Sequence, residues 1–225
     1  MSSELVNADF TQRVVIDTTR LPWIPSPLPG VERRMLDRIG GEVARATSVV
    51  RYAPGSVFSA HEHALGEEFL VLEGVFSDES GDFPPGTYVR NPPGSHHSPS
   101  SAPGCVIFVK LRQMPNDERQ RVVISPQARP WRAGEVTGHT RATLYDAGAG
   151  GECVTLERLT GRVSLQPSEC MGGEEILVLE GELEDEQGSC AAGTWIRNPD
   201  GYRRVLRSTD GCLLWVKRGH LRRSS

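Results

Sequence analysis

Apolar residues fall in short runs separated by turn residues. Val49-Val50-Arg51-Tyr52, Phe69-Leu70-Val71-Leu72 and Cys105-Val106-Ile107-Phe108-Val109 are rich in β-branched and aromatic side chains, which favour strands. Glycine (24) and proline (16) interrupt the chain so often that long helices have little room. Short strands at regular spacing predict an all-β sandwich or barrel.

The strand pattern occurs twice. Glu67-Glu68-Phe69-Leu70-Val71-Leu72-Glu73-Gly74 returns as Glu174-Glu175-Ile176-Leu177-Val178-Leu179-Glu180-Gly181, and Gly86-Thr87-Tyr88-Val89-Arg90-Asn91-Pro92 returns as Gly193-Thr194-Trp195-Ile196-Arg197-Asn198-Pro199, both at an offset of 107 residues. Nearer the N-terminus, Arg13-Val14-Val15-Ile16 with Pro22-Trp23 matches Arg121-Val122-Val123-Ile124 with Pro130-Trp131 at an offset of 108. A repeat of this length is a domain rather than a solenoid unit. Proline and charge interrupt the apolar pattern near Met114-Pro115-Asn116-Asp117-Glu118, which predicts domains at 1–114 and 115–225.

Composition narrows the function classes. The net charge of -4 provides no basic field, so nucleic acid is not an expected partner. The basic cluster Lys217-Arg218-Gly219-His220-Leu221-Arg222-Arg223 reads as a solvated terminus. No apolar run is long enough to span a membrane, and Met1-Ser2-Ser3-Glu4 does not begin a secretory leader. Five scattered cysteines argue against a disulfide framework, and a reducing cytoplasm is the expected location. Cys105 and Cys212 read as buried and inert, while Cys170 and Cys190, near turns, are the better candidates for reactive thiols.

Four of the six histidines lie between positions 61 and 97. On a strand, His61 and His63 point to the same face. Ala64-Leu65-Gly66 can turn the chain before Glu67, and His97 arrives from a later strand after the turn Asn91-Pro92-Pro93-Gly94. His61, His63, Glu67 and His97 would therefore converge. Three imidazoles and a carboxylate suit one divalent transition metal rather than Ca or Mg. Alternation turns Glu68 and His96 away from that point, and His139 and His220 read as surface residues.

These residues carry a family resemblance. Gly55, then His61-Glu62-His63, Glu67 and Gly74 resemble the first cupin motif; Gly86, then Pro92-Pro93-Gly94 and His97 resemble the second, with Ser101 where an asparagine is usual. The resemblance implies two tandem cupin barrels. Residues 66–79 and 86–97 are more closely similar to the cupin domain of ChrR-type anti-sigma factors. There the domain binds zinc through three histidines and a glutamate and serves the response to singlet oxygen and organic peroxide. The helical sigma-binding domain of that family has no counterpart in residues 1–45, which are too short for it and contain neither His nor Cys. The resemblance thus implies a regulatory or stress-sensing metalloprotein, responsive to an oxidant or small ligand, with zinc as the metal and a protein partner to read it out. Related small cupins offer the alternative, an Fe(II)-dependent dioxygenase cleaving C–C bonds of ketones or diketones. A homodimer is expected from the family.

In the second half the offset of 107 places Ser168, Cys170, Glu174 and Arg204 where the first has His61, His63, Glu67 and His97. That predicts a degenerate site in which Arg204 pairs with Glu174, since a buried carboxylate requires a partner. Arg51 and Arg90 recur as Arg158 and Arg197, which favours structural ion pairs over substrate binding.

Overall fold

The computed structural model describes residues 4–222, whose regular structure is almost entirely β. Contacts divide the chain into two compact units. One comprises Leu21–Ala128 with the N-terminal residues through Ala8; the other comprises Asp9–Arg20 and the chain from Arg129 onward. The principal strands are β1 (Val14–Asp17), β2 (Val31–Gly40), β3 (Ala44–Tyr52), β4 (His61–Glu62), β5 (Glu67–Gly74), β6 (Phe76–Asp78), β7 (Tyr88–Asn91), β8 (His96–His97), β9 (Cys105–Leu111), β10 (Val122–Ile124), β11 (His139–Asp146), β12 (Cys153–Leu159), β13 (Ser168–Cys170), β14 (Glu174–Asp185), β15 (Thr194–Asn198), β16 (Tyr202–Arg204) and β17 (Cys212–Arg218).

In the first unit the main antiparallel sheet runs Leu5–Val6, β2, β3, β9, β5, β7, β10. In the second it runs Trp131–Ala133, β11, β12, β17, β14, β15, β1. The all-β architecture of two barrels is as the sequence implied. The repeat and the compact units differ at two strands. β1 follows the first copy's Arg13 yet pairs with β15, Val14 opposite Arg197 and Ile16 opposite Trp195. β10 follows the second copy's Arg121 yet pairs with β7, Val122 opposite Arg90 and Ile124 opposite Tyr88. Each repeat thus supplies the last strand of the sheet otherwise built by the other. Residues 114 and 115 mark the edge of the repeat, not of a compact unit.

Alternation sends Phe69, Val71, Ile107 and Val109 into the first core, with Phe76, Phe83 and Val89. The opposite face of the sheet is buried as well, so its charges need partners. Lys110, Glu68 and Arg90 stand side by side on β9, β5 and β7. Glu68 accepts from the Tyr88 hydroxyl at 2.8 Å and from Arg90 at 3.0 Å. The second unit repeats the ladder as Lys217, Glu175 and Arg197, with Trp195 Nε1 donating to Glu175 at 3.2 Å. Glu68 therefore points away from the barrel interior but not into water. Arg51 bonds Glu32 and lies 4.5 Å from the Trp23 ring; Arg158 lies 5.6 Å from Trp131. These contacts fit the structural role expected of the recurring arginines.

The basic tail is solvated only in part: Arg222 is exposed, but the residues before it are not free in solvent. Lys217 is fully buried on β17, and His220 Nε2 lies 3.0 Å from Glu175. Arg223 lies outside the described residues. His139 is also buried, not superficial, because β11 turns it towards Glu157 at 3.4 Å.

Two glycines carry a sharp steric constraint. A Cβ at Gly74 would lie 1.9 Å from the Gly104 carbonyl oxygen, and one at the equivalent Gly181 would lie 2.1 Å from that of Gly211; both glycines have positive φ. Gly74→Ala and Gly181→Ala are each expected to lower the unfolding free energy by roughly 2 kcal/mol or more, since backbone strain adds to the clash. Urea unfolding would check this, and near-wild-type midpoints would contradict it.

Candidate metal centre

The paired strands β4 and β8 place His61 directly opposite His97 and Glu62 opposite His96. His63 follows two residues on and is pinned from both sides: its N–H donates to Ser95 O at 2.9 Å, and Gly94 N–H donates to its carbonyl at 3.0 Å. Gly94, with φ of +80°, lets the Pro-Pro-Gly turn make that approach. Glu67 opens β5. The imidazole centroids are 5.0 Å (His61–His63), 5.0 Å (His61–His97) and 4.6 Å (His63–His97) apart. One ring nitrogen from each of the three lies within 4.8 Å of the others. Glu67 Oε2 is 3.4 Å from His63 Nε2 and 3.7 Å from His97 Nε2. All four predicted residues are thus brought together.

The chemistry of these atoms fits a cation. His63 Nε2 and His97 Nε2 are buried without a hydrogen-bond partner, a costly state for a polar nitrogen unless something else takes its lone pair. Burial, with His61 alongside, pushes the His63 imidazole down to about 4. Burial likewise lowers His97, and it raises the Glu67 carboxyl. Neutral imidazole is the form that ligates metal. The three histidines can hold a metal ion, and the nitrogen-rich donor set suits a transition metal.

A supporting shell went unread in the sequence. Asn91 Nδ2 donates to Glu67 Oε2 at 3.2 Å, and Arg121 Nε donates to Asn91 Oδ1 at 3.3 Å. Asp78 Oδ2, at the end of β6, lies 3.5 Å from His97 Nδ1 and 3.7 Å from Arg121. A carboxylate behind a ligating imidazole fixes its orientation. The recurrence of Asn91 as Asn198 was the available signal; Asp78 offered none, because its strand is only three residues long. His96 is exposed, as alternation predicted.

The centre forms one wall of a cavity of about 370 Å³ in the first unit. Val50, Tyr52, Phe58, Ile107 and Leu111 make other walls apolar.

The second unit resolves the same carboxylate differently. β13 and β16 set Ser168 opposite Arg204. Arg204 Nε donates to Glu174 Oε1 at 2.7 Å and Nη2 to Oε2 at 2.8 Å, the pairing expected from the repeat. Arg218 Nε adds 2.8 Å to Glu174, and its Nη1 donates to Glu157 at 2.6 Å. Arg218 and Glu157 occupy the places of Leu111 and Val50, so interior charge stands where the first unit has apolar wall. Burial alone would raise the Glu174 carboxyl, but Arg218 and Arg204 outweigh it and hold it below its ordinary value. Cys170 and Cys190 are buried, and burial raises both thiols, Cys170 to about 12 with Glu174 adding to the effect. They are not the reactive thiols expected from their place near turns. Cys105 and Cys212 are buried, and burial raises them too, as expected.

A family model for the ChrR cupin-like domain matches residues 11–115 and again 119–222. Solved structures share the fold at low identity. A candidate dioxygenase of Nostoc punctiforme has a TM-score of 0.76 at 14% identity, covering 95% of this chain and 85% of that one. YlbA of Escherichia coli has a TM-score of 0.70 at 13% identity, covering 96% and 94%. Oxalate decarboxylase of Lactobacillus farciminis has a TM-score of 0.62 at 10% identity, covering 100% and 88%. At these identities the likeness is one of fold. No curated protein matches the chain by sequence.

Arg204→Ala is expected to destabilise the second unit by about 3 kcal/mol, tempered by the remaining Arg218. Glu174 and Glu157 are both held below the ordinary carboxyl value of 4.5. Their stabilisation is full above that value and is lost as pH falls through the depressed ones. Acid unfolding, followed by fluorescence of Trp195 and Trp215, should therefore move to higher pH in Arg204→Ala. An unmoved acid midpoint would show that the pair contributes nothing.

Proposed function

The chain belongs to the ChrR cupin-like family, and from that membership we propose a regulatory or sensing protein whose first barrel binds one divalent metal ion and, beside it, a small ligand or oxidant. The observation that carries this reading is that His61, His63 and Glu67 line a cavity of about 370 Å³ whose walls are apolar in part, a size suited to a small molecule. A metal serving structure alone would need no such space. In this reading His61, His63, Glu67 and His97 are the ligands, with zinc as the first metal proposed and Fe(II) as the alternative. When bound, zinc supplies Lewis acidity and Fe(II) adds reactivity towards oxygen. The residues of the chain do the rest: Asn91 and Asp78 hold Glu67 and His97 in place, and the apolar walls exclude water from the ligand. A protein partner, a homodimer and a cytoplasmic location complete the proposal. No helix among the described residues is long and apolar enough to cross a membrane.

The same cavity favours one second reading, a metal-dependent dioxygenase acting on ketones or diketones. An apolar chamber against a redox metal would orient such a substrate and keep water from it.

Metal analysis of protein purified without oxygen separates these. About one zinc per chain, lost in His97→Ala, with no oxygen uptake, supports the sensing reading. Fe(II) with oxygen uptake on adding small diketones supports the dioxygenase. Absence of metal even after reconstitution overturns both. Asp78→Asn is expected to weaken metal affinity roughly 10- to 100-fold with the fold retained; competition against a chromogenic chelator would measure it, and unchanged affinity would remove Asp78 from the site.

A further inference from the structure

The cavity has a second chemical end. Across the sheet, Glu67, Leu111, Ala46 and Arg38 form one continuous rung over β5, β9, β3 and β2, and all four line the cavity. The rung Val71, Ile107, Val50 and Arg33 runs parallel to it. At ~4.8 Å per strand, Arg38 stands about 14 Å along the curving sheet from Glu67. Arg38 faces inward because the register shifts between Met35 and Asp37, which absorbs Leu36 and reverses the alternation. Unshifted, Asp37 would occupy that face. The shift thus places a cation in the chamber.

The two guanidiniums are under-served by protein. Arg33 Nε and Arg38 Nε are buried without hydrogen-bond partners. Arg33 Nη2 reaches Glu42 at 3.3 Å, but the Glu42 side chain is 58% exposed. Arg38 Nε lies 3.5 Å from Glu4, whose side chain is 47% exposed, and Arg38 Nη2 donates to Gly41 O. Exposed carboxylates on such pairs hold weakly and yield to a competitor. Burial, then the neighbouring Arg33, lowers the Arg38 pKa, and the two half-exposed carboxylates of Glu4 and Glu42 only partly offset them.

The second unit shows what the position accepts. Arg141 is the repeat equivalent of Arg33, and the residue opposite it on the next strand is Glu157, whose Oε1 lies 3.3 Å from Arg141 Nε. Opposite Arg33 stands Val50, which has no charge to offer. The first unit keeps the guanidinium and lacks the interior carboxylate.

We propose that the first-unit cavity takes a small organic carboxylate, its acid group held by Arg33 and Arg38 and its apolar body lying between them and the His61, His63, Glu67 end. This deepens the ligand-binding reading and rests on it for the role of the cavity, though not for the presence of metal. Guanidinium forks suit carboxylates in particular, since two N–H groups meet two oxygens. The apolar walls between the ends suit an aryl or alkyl body. Arg112 adds a third cation to the lining, while Glu42 and Glu62 are the acidic groups beside Glu67.

The test is calorimetric titration with phenylacetate, 3-phenylpropionate and 4-phenylbutyrate against their neutral amides. Each acid–amide pair is run on the metal-loaded protein, on chelator-stripped protein, and on Arg33→Met and Arg38→Met. Stripped protein is needed because a metal also attracts carboxylates. At least one acid is expected to bind roughly tenfold or more tighter than its amide, with and without metal, and each Arg→Met variant should remove most of that preference. Methionine keeps the bulk of the side chain, and if Arg38→Met fails to fold, Arg33→Met alone still decides. A preference that disappears on stripping, one that survives both variants, equal binding of acids and amides, or no binding of any acid overturns the proposal. If no metal binds but the acid preference persists and depends on the arginines, the metal reading fails and this inference stands.

Discussion

A carboxylate at the start of the same inner strand in both barrels, Glu67 and Glu174, sets the problem that the rest of the molecule answers. Both are buried, and a buried carboxylate needs a cation or a proton. In the second unit the answer comes from the chain's own cations: Arg204 and Arg218 converge on Glu174 as ion pairs. In the first, leucine stands in place of Arg218 and histidine in place of Arg204, so among the described residues no guanidinium is paired with Glu67. What remains is a trio of imidazoles, two of them, His63 and His97, with buried nitrogens lacking hydrogen-bond partners, a donor set that a metal ion satisfies. The same exchanges decide whether the interior is filled with charge or bordered by apolar wall.

Features were readable in proportion to how locally they are encoded. The histidines declared themselves because strand alternation and the spacing from 61 to 67 fix a face. The Arg204–Glu174 pair declared itself because the repeat laid an arginine over a histidine. Arg218, Glu157 and His139 did not, since their equivalents Leu111, Val50 and Val31 are ordinary core residues that announce no partner. The tail misled for a related reason. Its basic composition resembles a solvated terminus, yet Lys217 lies on an inner strand opposite Glu175. The inward turn of Arg38 depends on a one-residue register shift, which hydrophobic pattern does not record.

The exchanged strands also reach the sites. Arg121 precedes β10 and hydrogen-bonds Asn91, which in turn holds Glu67. Arg13 precedes β1 and does the same for Asn198, which reaches Glu174 at 3.4 Å. Each carboxylate is therefore oriented by an arginine drawn from the other repeat. That this relay persists beside Glu174, where Arg204 stands in place of the last histidine, marks it as scaffold first and metal support second.

Written on two separate chains, such an exchange would be a strand-swapped dimer, and its assembly would follow mass action. On one chain, short connections replace the bimolecular step by an effective concentration that dilution cannot lower. The exchanged strands then become the outer strands of the two sheets: β10 closes one path and β1 the other. The cost falls on modularity. Cutting between the repeats leaves each fragment without its own edge strand and holding a strand that belongs elsewhere. Gene duplication has given this protein two barrels that can diverge in chemistry, while the crossing strands prevent them from parting as independent modules.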